Sequence, residues 1–230
     1  MANKLRIIPL GGLGEVGKNM MVLEYGRNTI IIDAGIMFPE NDMLGIDFII
    51  PDFNYLLDKK DLVRAIILTH GHEDHVGALP YVLQEIKAPI YATKLTRGLA
   101  EVKLKDSHLL DEVDLNTIQA GDSLALGPFR IEFFHVCHSI PDGVGLAIET
   151  PVGLEFTLAT LSLTIRQWMG SPPISPSWRS WGGGVFWRCC PTAPMPSVRG
   201  PLPPRGQLMT PSNRSSTGQK DASSWVLLPP

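Results

Sequence analysis

The 230-residue sequence has few of the features that mark secreted, membrane-spanning or strongly basic proteins. Its three cysteines, two of them adjacent, are too few for a disulfide framework. No run of about 18 apolar residues predicts a transmembrane helix. The N-terminal MANKLRIIPL turns polar too early for a secretory signal peptide. A net charge of −3 excludes a basic surface over the whole chain. We therefore expect a cytoplasmic protein that does not contact membranes.

The chain changes composition after Leu154. Residues 1–154 hold 13 Lys+Arg and 21 Asp+Glu, whereas residues 155–230 hold 7 and 2. The second part also holds all five tryptophans, 12 of the 20 prolines and no histidine. Proline-rich and glycine-rich stretches such as SPPISP and GGG fit neither strands nor helices. We predict a globular domain over 1–154 and a disordered, low-complexity tail over 155–230.

The pattern within 1–154 predicts an α/β fold. Three strands, Leu5–Leu10, Met20–Tyr25 and Thr29–Asp33, are joined by turn sequences typical of an antiparallel meander. A buried strand over Leu62–Thr69 precedes helical spacing from Val76 to Ile86, and Thr93–Leu110 reads as a second helix. Further short strands end near residue 150. Such an order predicts a mixed sheet flanked by helices.

Four potential metal ligands stand within six positions where the buried strand ends: His70, His72, Asp74 and His75. Imidazole and carboxylate groups suit Zn²⁺ or Mn²⁺. His70 and His72 can serve one ion, and Asp74 and His75 a second. His138, at the end of a later strand, is the best candidate for a further ligand.

Other residues near this motif allow two interpretations each. Asp33 ends an apolar strand, where it can hold the histidine loop by hydrogen bonds or merely cap a turn. The glycine-rich segment 11–19 can bring backbone N–H groups to a phosphate or form an ordinary turn. We expect His135 to be a core or sheet-face residue and His108 a surface residue.

Four strings resemble bacterial ribonuclease J, a β-CASP member of the metallo-β-lactamase fold. They are PLGGLGEVGKN (9–19), DAGIMFP (33–39), LTHGHEDHVGALP (68–80) and HSIPD (138–142). The resemblance implies an αββα sandwich, of which residues 1–154 are the N-terminal part. It also implies a two-metal ribonuclease with 5′–3′ exonuclease and endonuclease activity in RNA processing and decay, and a homo-oligomer.

The resemblance also assigns roles to individual residues. His70, His72 and His138 would hold one zinc ion, and Asp74 and His75 would contribute to the other. Asp74 and His75 would thus belong to the catalytic centre, where two metal ions activate water and stabilise charge on the scissile phosphate. Ser139 would lie near the bound phosphate.

The sequence departs from the family after Leu154. Neither the family's bridging aspartate nor its last histidine ligand is present: no carboxylate follows Glu155 before Asp221, and no histidine follows His138. Codons that encode residues 156–170 can also encode IHTGDFKLDHTPVDG when they are read one nucleotide earlier, and that string resembles the family's continuation. We therefore expect that a nucleotide was lost near codon 155, that the tail is out-of-frame translation, and that this chain is inactive and poorly soluble.

Two other functions fit parts of the sequence. One is a different hydrolase of the same fold, such as a thioesterase or lactonase. The strings at 9–19 and 138–142 argue against it. The other is a non-enzymatic RNA-binding fragment whose basic, tryptophan-rich tail stacks on bases. That tail carries no recognisable RNA-binding motif.

Overall fold

The structure is a computed structural model that describes residues 4–40, 42–136, 138–157 and 187–189. The chain divides into two units, Met1–Pro194 and Met195–Pro230, and the second lies outside the described residues. The first unit contains eleven strands and four α-helices within the described ranges. The strands are β1 Leu5–Gly11, β2 Met20–Tyr25, β3 Asn28–Ile32, β4 Val63–Ile67, β5 Ile90–Thr93, β6 Leu115–Ile118, β7 Ser123–Leu126, β8 Phe129–His135, β9 Val144–Thr150, β10 Gly153–Thr157 and β11 Trp187–Cys189; the helices are α1 Asn54–Leu57, α2 Glu73–Val76, α3 Leu79–Glu85 and α4 Lys94–Asp106.

Two sheets carry these strands. The first has the order β1-β2-β3-β4-β5-β6, antiparallel from β1 to β3 and parallel from β3 to β6. The second has the order β11-β10-β9-β8-β7 and is antiparallel except for the β10–β11 pair. The parallel strands of the first sheet end at one edge, where loops can bring functional side chains together.

Both faces of the first sheet are buried, which explains the unbroken β-branched run in β3. Ile31 points into a core that the sheet shares with α3 and α4. Ile30 and Ile32 point the other way, into a second core with Phe129, Ile131 and Phe133 of β8. The described residues thus form a helix layer and two packed sheets, which are three of the four layers expected of an αββα sandwich.

Most predicted elements are present, with shifted boundaries. The predicted helical segment 76–86 is wrong as a single helix, because the chain forms the short α2 and then α3, with Pro80 in the first turn of α3. Proline is favoured in a first turn and disfavoured inside a helix, so the break falls before it. Strand β10 runs to Thr157, three residues beyond the predicted boundary at 154, and β11 pairs with it. The rest of the predicted tail lies outside the described residues. Among the described residues, no helix is long and apolar enough to cross a bilayer.

Candidate metal centre

The candidate site lies where β3 and β4 end side by side. After β4 the chain passes through Thr69, His70 and Gly71 before α2 begins at Glu73. Asp33 follows β3 directly, and its backbone N–H donates to the Ile67 carbonyl at 2.9 Å. Paired strands therefore fix the starting points of both segments.

His70, His72 and His138 bring three ring nitrogens together. His70 Nε2 lies 3.1 Å from His72 Nδ1, and His138 Nε2 lies 3.0 Å from the same atom. All three ligand atoms lie within 4.8 Å of one another. Nitrogens bound to one tetrahedral zinc at 2.0–2.1 Å are about 3.3 Å apart, so these spacings suit one metal ion. The predicted grouping of these three histidines is present in the structure.

The surroundings of His70 keep its ring neutral, which favours coordination of a metal ion. Thr69 Oγ1 lies 3.0 Å from His70 Nδ1, the ring nitrogen that does not face His72. Burial and the charge of His75 lower the pKa of His70 to about 3. Burial and the neighbouring His72 also lower the pKa of His138. Since metal ions bind neutral imidazole, both rings are ready for coordination near pH 7.

Asp33 supports the loop that carries His70 and His75 through hydrogen bonds. Its Oδ1 accepts the Thr69 backbone N–H at 2.8 Å, and Thr69 Oγ1 donates to its Oδ2 at 2.9 Å. Asp33 Oδ2 also lies 2.7 Å from His75 Nδ1. Asp33 has a left-handed φ of 61°, a conformation that aspartate adopts more readily than most other non-glycine residues. Of the two interpretations of Asp33, its contacts fit the supporting role.

His75 is oriented through both of its ring nitrogens. Burial lowers its pKa, but the charge and hydrogen bond of Asp33, together with Asp74, outweigh burial and raise it to about 9. With Nδ1 directed at Asp33, Nε2 faces Asp74 Oδ2 at 3.5 Å. Burial raises the pKa of the Asp74 carboxyl, but its hydrogen bond and charge interaction with His75 bring it below its usual value. Asp74 and His75 thus form a second potential ligand pair beside the three histidines.

Asn19 is a site residue that the sequence interpretation did not single out. Its Nδ2 lies 3.0 Å from the Asp74 carbonyl, 3.1 Å from Asp74 Oδ2 and 3.1 Å from His75 Nε2. It is the last residue of the glycine-rich segment, whose backbone hydrogen bonds to Asp74 and Ile36 join that segment to the site. In the sequence, the available signal for this residue was its polar side chain directly before a buried strand.

Gly35 permits the close approach of two backbone segments. A Cβ there would overlap the backbone carbonyl carbon and oxygen of Asp74 and lie 2.6 Å from the backbone nitrogen of His75. On either side of it, Ala34 N–H donates to the His75 carbonyl at 2.8 Å and Ile36 N–H donates to the Glu73 carbonyl at 3.0 Å. The position of Asp74 and His75 therefore depends on the absence of a side chain at residue 35.

The remaining predicted residues fall into two groups. Ser139 lies at the site, with its Oγ 3.4 Å from His72 Nε2. His135 and His108 are exposed and do not join the cluster. His108 is the surface residue that we expected, and a position on an exposed sheet face is one of the two expected for His135.

Comparison with known sequences identifies the family of this chain. The sequence model of the Metallo-beta-lactamase superfamily matches residues 13–151. "Ribonuclease J 1" of Streptococcus pyogenes serotype M3 is 44% identical over 151 residues, which are 66% of this chain and 27% of that protein. "Ribonuclease J2" of Bacillus subtilis is 44% identical over 149 residues, which are 65% of this chain and 27% of that protein. The chain thus spans about a quarter of the length of these relatives, and the resemblance to ribonuclease J is confirmed.

A solved structure supports the fold alone. A protein of unknown function from Enterococcus faecalis V583 superposes with a TM-score of 0.52 at 18% sequence identity. The superposition covers 70% of this chain and 44% of that protein.

Proposed function

We propose that this chain, which belongs to the metallo-beta-lactamase superfamily, carries the metal-binding part of a ribonuclease that hydrolyses RNA phosphodiesters. The observation that carries the proposal is the convergence of His70, His72 and His138 in a chain 44% identical to ribonucleases J. Zinc as the metal, RNA as the substrate, a homo-oligomeric assembly and a cytoplasmic location are parts of this proposal.

The donor set fits metal ions, with the release of one proton from His75, whose pKa is raised to about 9. His70, His72 and His138 would hold one ion, and Asp74 with His75 would contribute to a second. Bound there, the ions would supply Lewis acidity that activates water and neutralises charge at a phosphodiester. Asp33 and Thr69 would keep His70 and His75 in the tautomers that leave their Nε2 atoms available.

Ser139 would act on the substrate rather than on the metal. Its hydroxyl lies at the rim of the cluster, next to His72. A hydroxyl in that place can donate a hydrogen bond to a phosphate oxygen and so orient the phosphodiester beside the histidines. The glycine-rich segment stays a candidate for phosphate contact, since its end adjoins Asp74 through Asn19.

We further propose that residues 155–230 are out-of-frame translation, because codons for 156–170 also permit IHTGDFKLDHTPVDG. Resequencing the source DNA across codons 145–175, and through the next several hundred codons, should reveal one additional nucleotide near codon 155. The frame that then opens should encode TGDFK and a later histidine. An unchanged sequence would show that the loss is real and that this chain cannot complete the family's ligand set.

RNA cleavage should require the complete set of metal ligands. We expect a 5′-monophosphorylated single-stranded RNA to be degraded by the frame-restored protein in Zn²⁺ or Mn²⁺, and EDTA should abolish the reaction. The 230-residue chain should show at least about 100-fold less turnover, because the bridging carboxylate is missing. Hydrolysis of a thioester or lactone in place of RNA would favour the other hydrolase class. Loss of RNA affinity on deleting 155–230 would favour the binding fragment.

A further inference from the structure

Asn19 presents its side-chain amide to Asp74 and His75 from a nearly buried position. Only 6% of the residue is exposed. Its Nδ2 lies 3.0 Å from the Asp74 carbonyl oxygen, 3.1 Å from Asp74 Oδ2 and 3.1 Å from His75 Nε2. Two of these three atoms, Oδ2 and Nε2, are the ones that would contact a second metal ion. The amide therefore touches both potential ligand atoms of the pair.

The fold does not need this amide to join the two segments. The Asn19 backbone N–H donates to the Asp74 carbonyl at 3.0 Å, and the Asn19 carbonyl accepts the Gly35 N–H at 3.0 Å. These two bonds belong to the backbone, so they survive when the side chain is replaced. What the asparagine side chain adds is the set of contacts to Asp74 and His75.

Gly12 leaves room for the other end of the amide. Its φ is +80°, and a Cβ there would lie 2.4 Å from Asn19 Oδ1 and 3.1 Å from Asn19 Cα. The Gly12 N–H donates to Glu15 Oε1 at 3.2 Å. At the other end of the glycine-rich segment, the Lys18 N–H donates to the Ile36 carbonyl at 2.8 Å. Both ends of the segment are thus bonded within the protein, and Gly12 is placed against the Asn19 amide.

The two hydrogens of the amide match a pair that holds a metal ion. An amide nitrogen donates hydrogen bonds and does not accept them, so Asn19 Nδ2 is a donor and not a metal ligand. In the structure its two hydrogens face three possible acceptors. An ion bound to His75 would use the single lone pair of Nε2, which leaves one Asp74 oxygen for each hydrogen. Because a carboxylate oxygen has more than one lone pair, Asp74 Oδ2 can accept from Asn19 and bind an ion together.

Resting on the proposed function, we propose that Asn19 is a positioning residue of the second metal position. Its amide holds the Asp74 carboxylate in the orientation that faces His75 Nε2, and Gly12 provides the space that the amide needs. Outer hydrogen-bond partners of this kind fix the orientation of metal ligands, and their loss costs about 10- to 100-fold in metal affinity.

The test is a Co²⁺ titration of the full 230-residue chain, followed by visible absorption and by isothermal titration. Wild type should bind a first ion at the three clustered histidines and a weaker second ion at Asp74 and His75. Asn19→Ala should weaken the second binding step at least about tenfold and leave the first within about threefold. A merely structural role would change both steps or neither.

Asn116→Ala is the matched control for the loss of an asparagine side chain. Asn116 lies on β6 and is half-buried. Its Nδ2 has no hydrogen-bond partner among the described residues. The substitution should therefore leave both Co²⁺ affinities within about threefold of wild type.

Gly12→Ala displaces the amide without removing it, and Gly14→Ala is its control. The two glycines have nearly equal left-handed φ values of +80° and +77°, so alanine is strained alike at both. A Cβ at Gly14 would meet no atom within 4 Å. Gly12→Ala should weaken the second Co²⁺ step at least about tenfold, whereas Gly14→Ala should leave it within about threefold.

The outcomes separate the positioning role from the proposed function. If wild type binds the first ion and Asn19→Ala binds both ions as wild type does, the positioning role is wrong and the proposed function stands. The same conclusion follows if wild type takes up only one ion, if Asn19→Ala weakens both steps alike, or if Gly12→Ala and Gly14→Ala weaken the second step equally. If wild type binds no Co²⁺, the proposed function and the positioning role both fail.

Discussion

Gly35→Ala should lower the affinity for Zn²⁺ by about 10- to 100-fold, an effect typical of disturbing the support of metal ligands. The added methyl group would overlap the Asp74 carbonyl, so the segment that carries Asp74 and His75 must move. Backbone cannot yield as a flexible side chain does, and overpacking of this kind costs about 1–3 kcal/mol of stability. Isothermal titration with Zn²⁺ and urea denaturation measure the two effects.

Gly98→Ala is the matched control for this substitution. The same methyl group is added there in open space on α4. It should raise the free energy of unfolding by about 0.5–1 kcal/mol through helix propensity and leave Zn²⁺ affinity unchanged. Wild-type Zn²⁺ affinity in Gly35→Ala would contradict the close backbone approach on which the site geometry rests.

Asp33→Ala should destabilise the metal-free protein by about 3–5 kcal/mol. The change removes a buried carboxylate that accepts from the Thr69 backbone N–H, from the Thr69 hydroxyl and from His75 Nδ1. His75 would then lose the partner that keeps its imidazolium charge compensated. Such a loss is a large fraction of the stability of an ordinary domain. Urea denaturation monitored by circular dichroism would measure it.

Two further variants separate the loss of the Asp33 charge from the general effect of replacing an aspartate by alanine. Asp33→Asn keeps one acceptor oxygen and tolerates the left-handed φ of 61°, so it should cost less, about 1–3 kcal/mol. Asp106→Ala removes an exposed carboxylate at the end of α4 and should change stability by about 0.5 kcal/mol or less. Equal stability of Asp33→Ala and wild type would show that the carboxylate does not support the histidine loop.

Sequence reasoning was most successful where local chemistry decides the outcome. The β-branched run predicted β3, and the turn sequences between the apolar segments predicted β1 and β2 as its neighbours in a meander. The grouping of His70 and His72 with His138 was implied by the resemblance to ribonuclease J, because His138 follows β8 of the second sheet, and the local sequence indicated only that it lies at the end of a strand.

Contacts between distant segments were beyond such reasoning. Asn19 reaches Asp74 and His75 across 55 and 56 positions of sequence, and no local pattern reports that contact. The overlap expected at Gly35 depends on how two loops cross, which only the three-dimensional arrangement defines. The break between α2 and α3 was a local signal, since Pro80 was visible, but the apolar spacing continued across it.

Zinc binding by the 230-residue chain tests the central claim most directly. Isothermal titration of wild type should detect a tight Zn²⁺ site, and His72→Ala should weaken it at least about 100-fold, because His72 Nδ1 lies within 3.1 Å of both other ligand nitrogens. The exposed His108 and His135 supply matched controls, and alanine at either should leave the affinity unchanged. Equal Zn²⁺ affinity in His72→Ala and wild type would contradict a metal centre built on His70, His72 and His138.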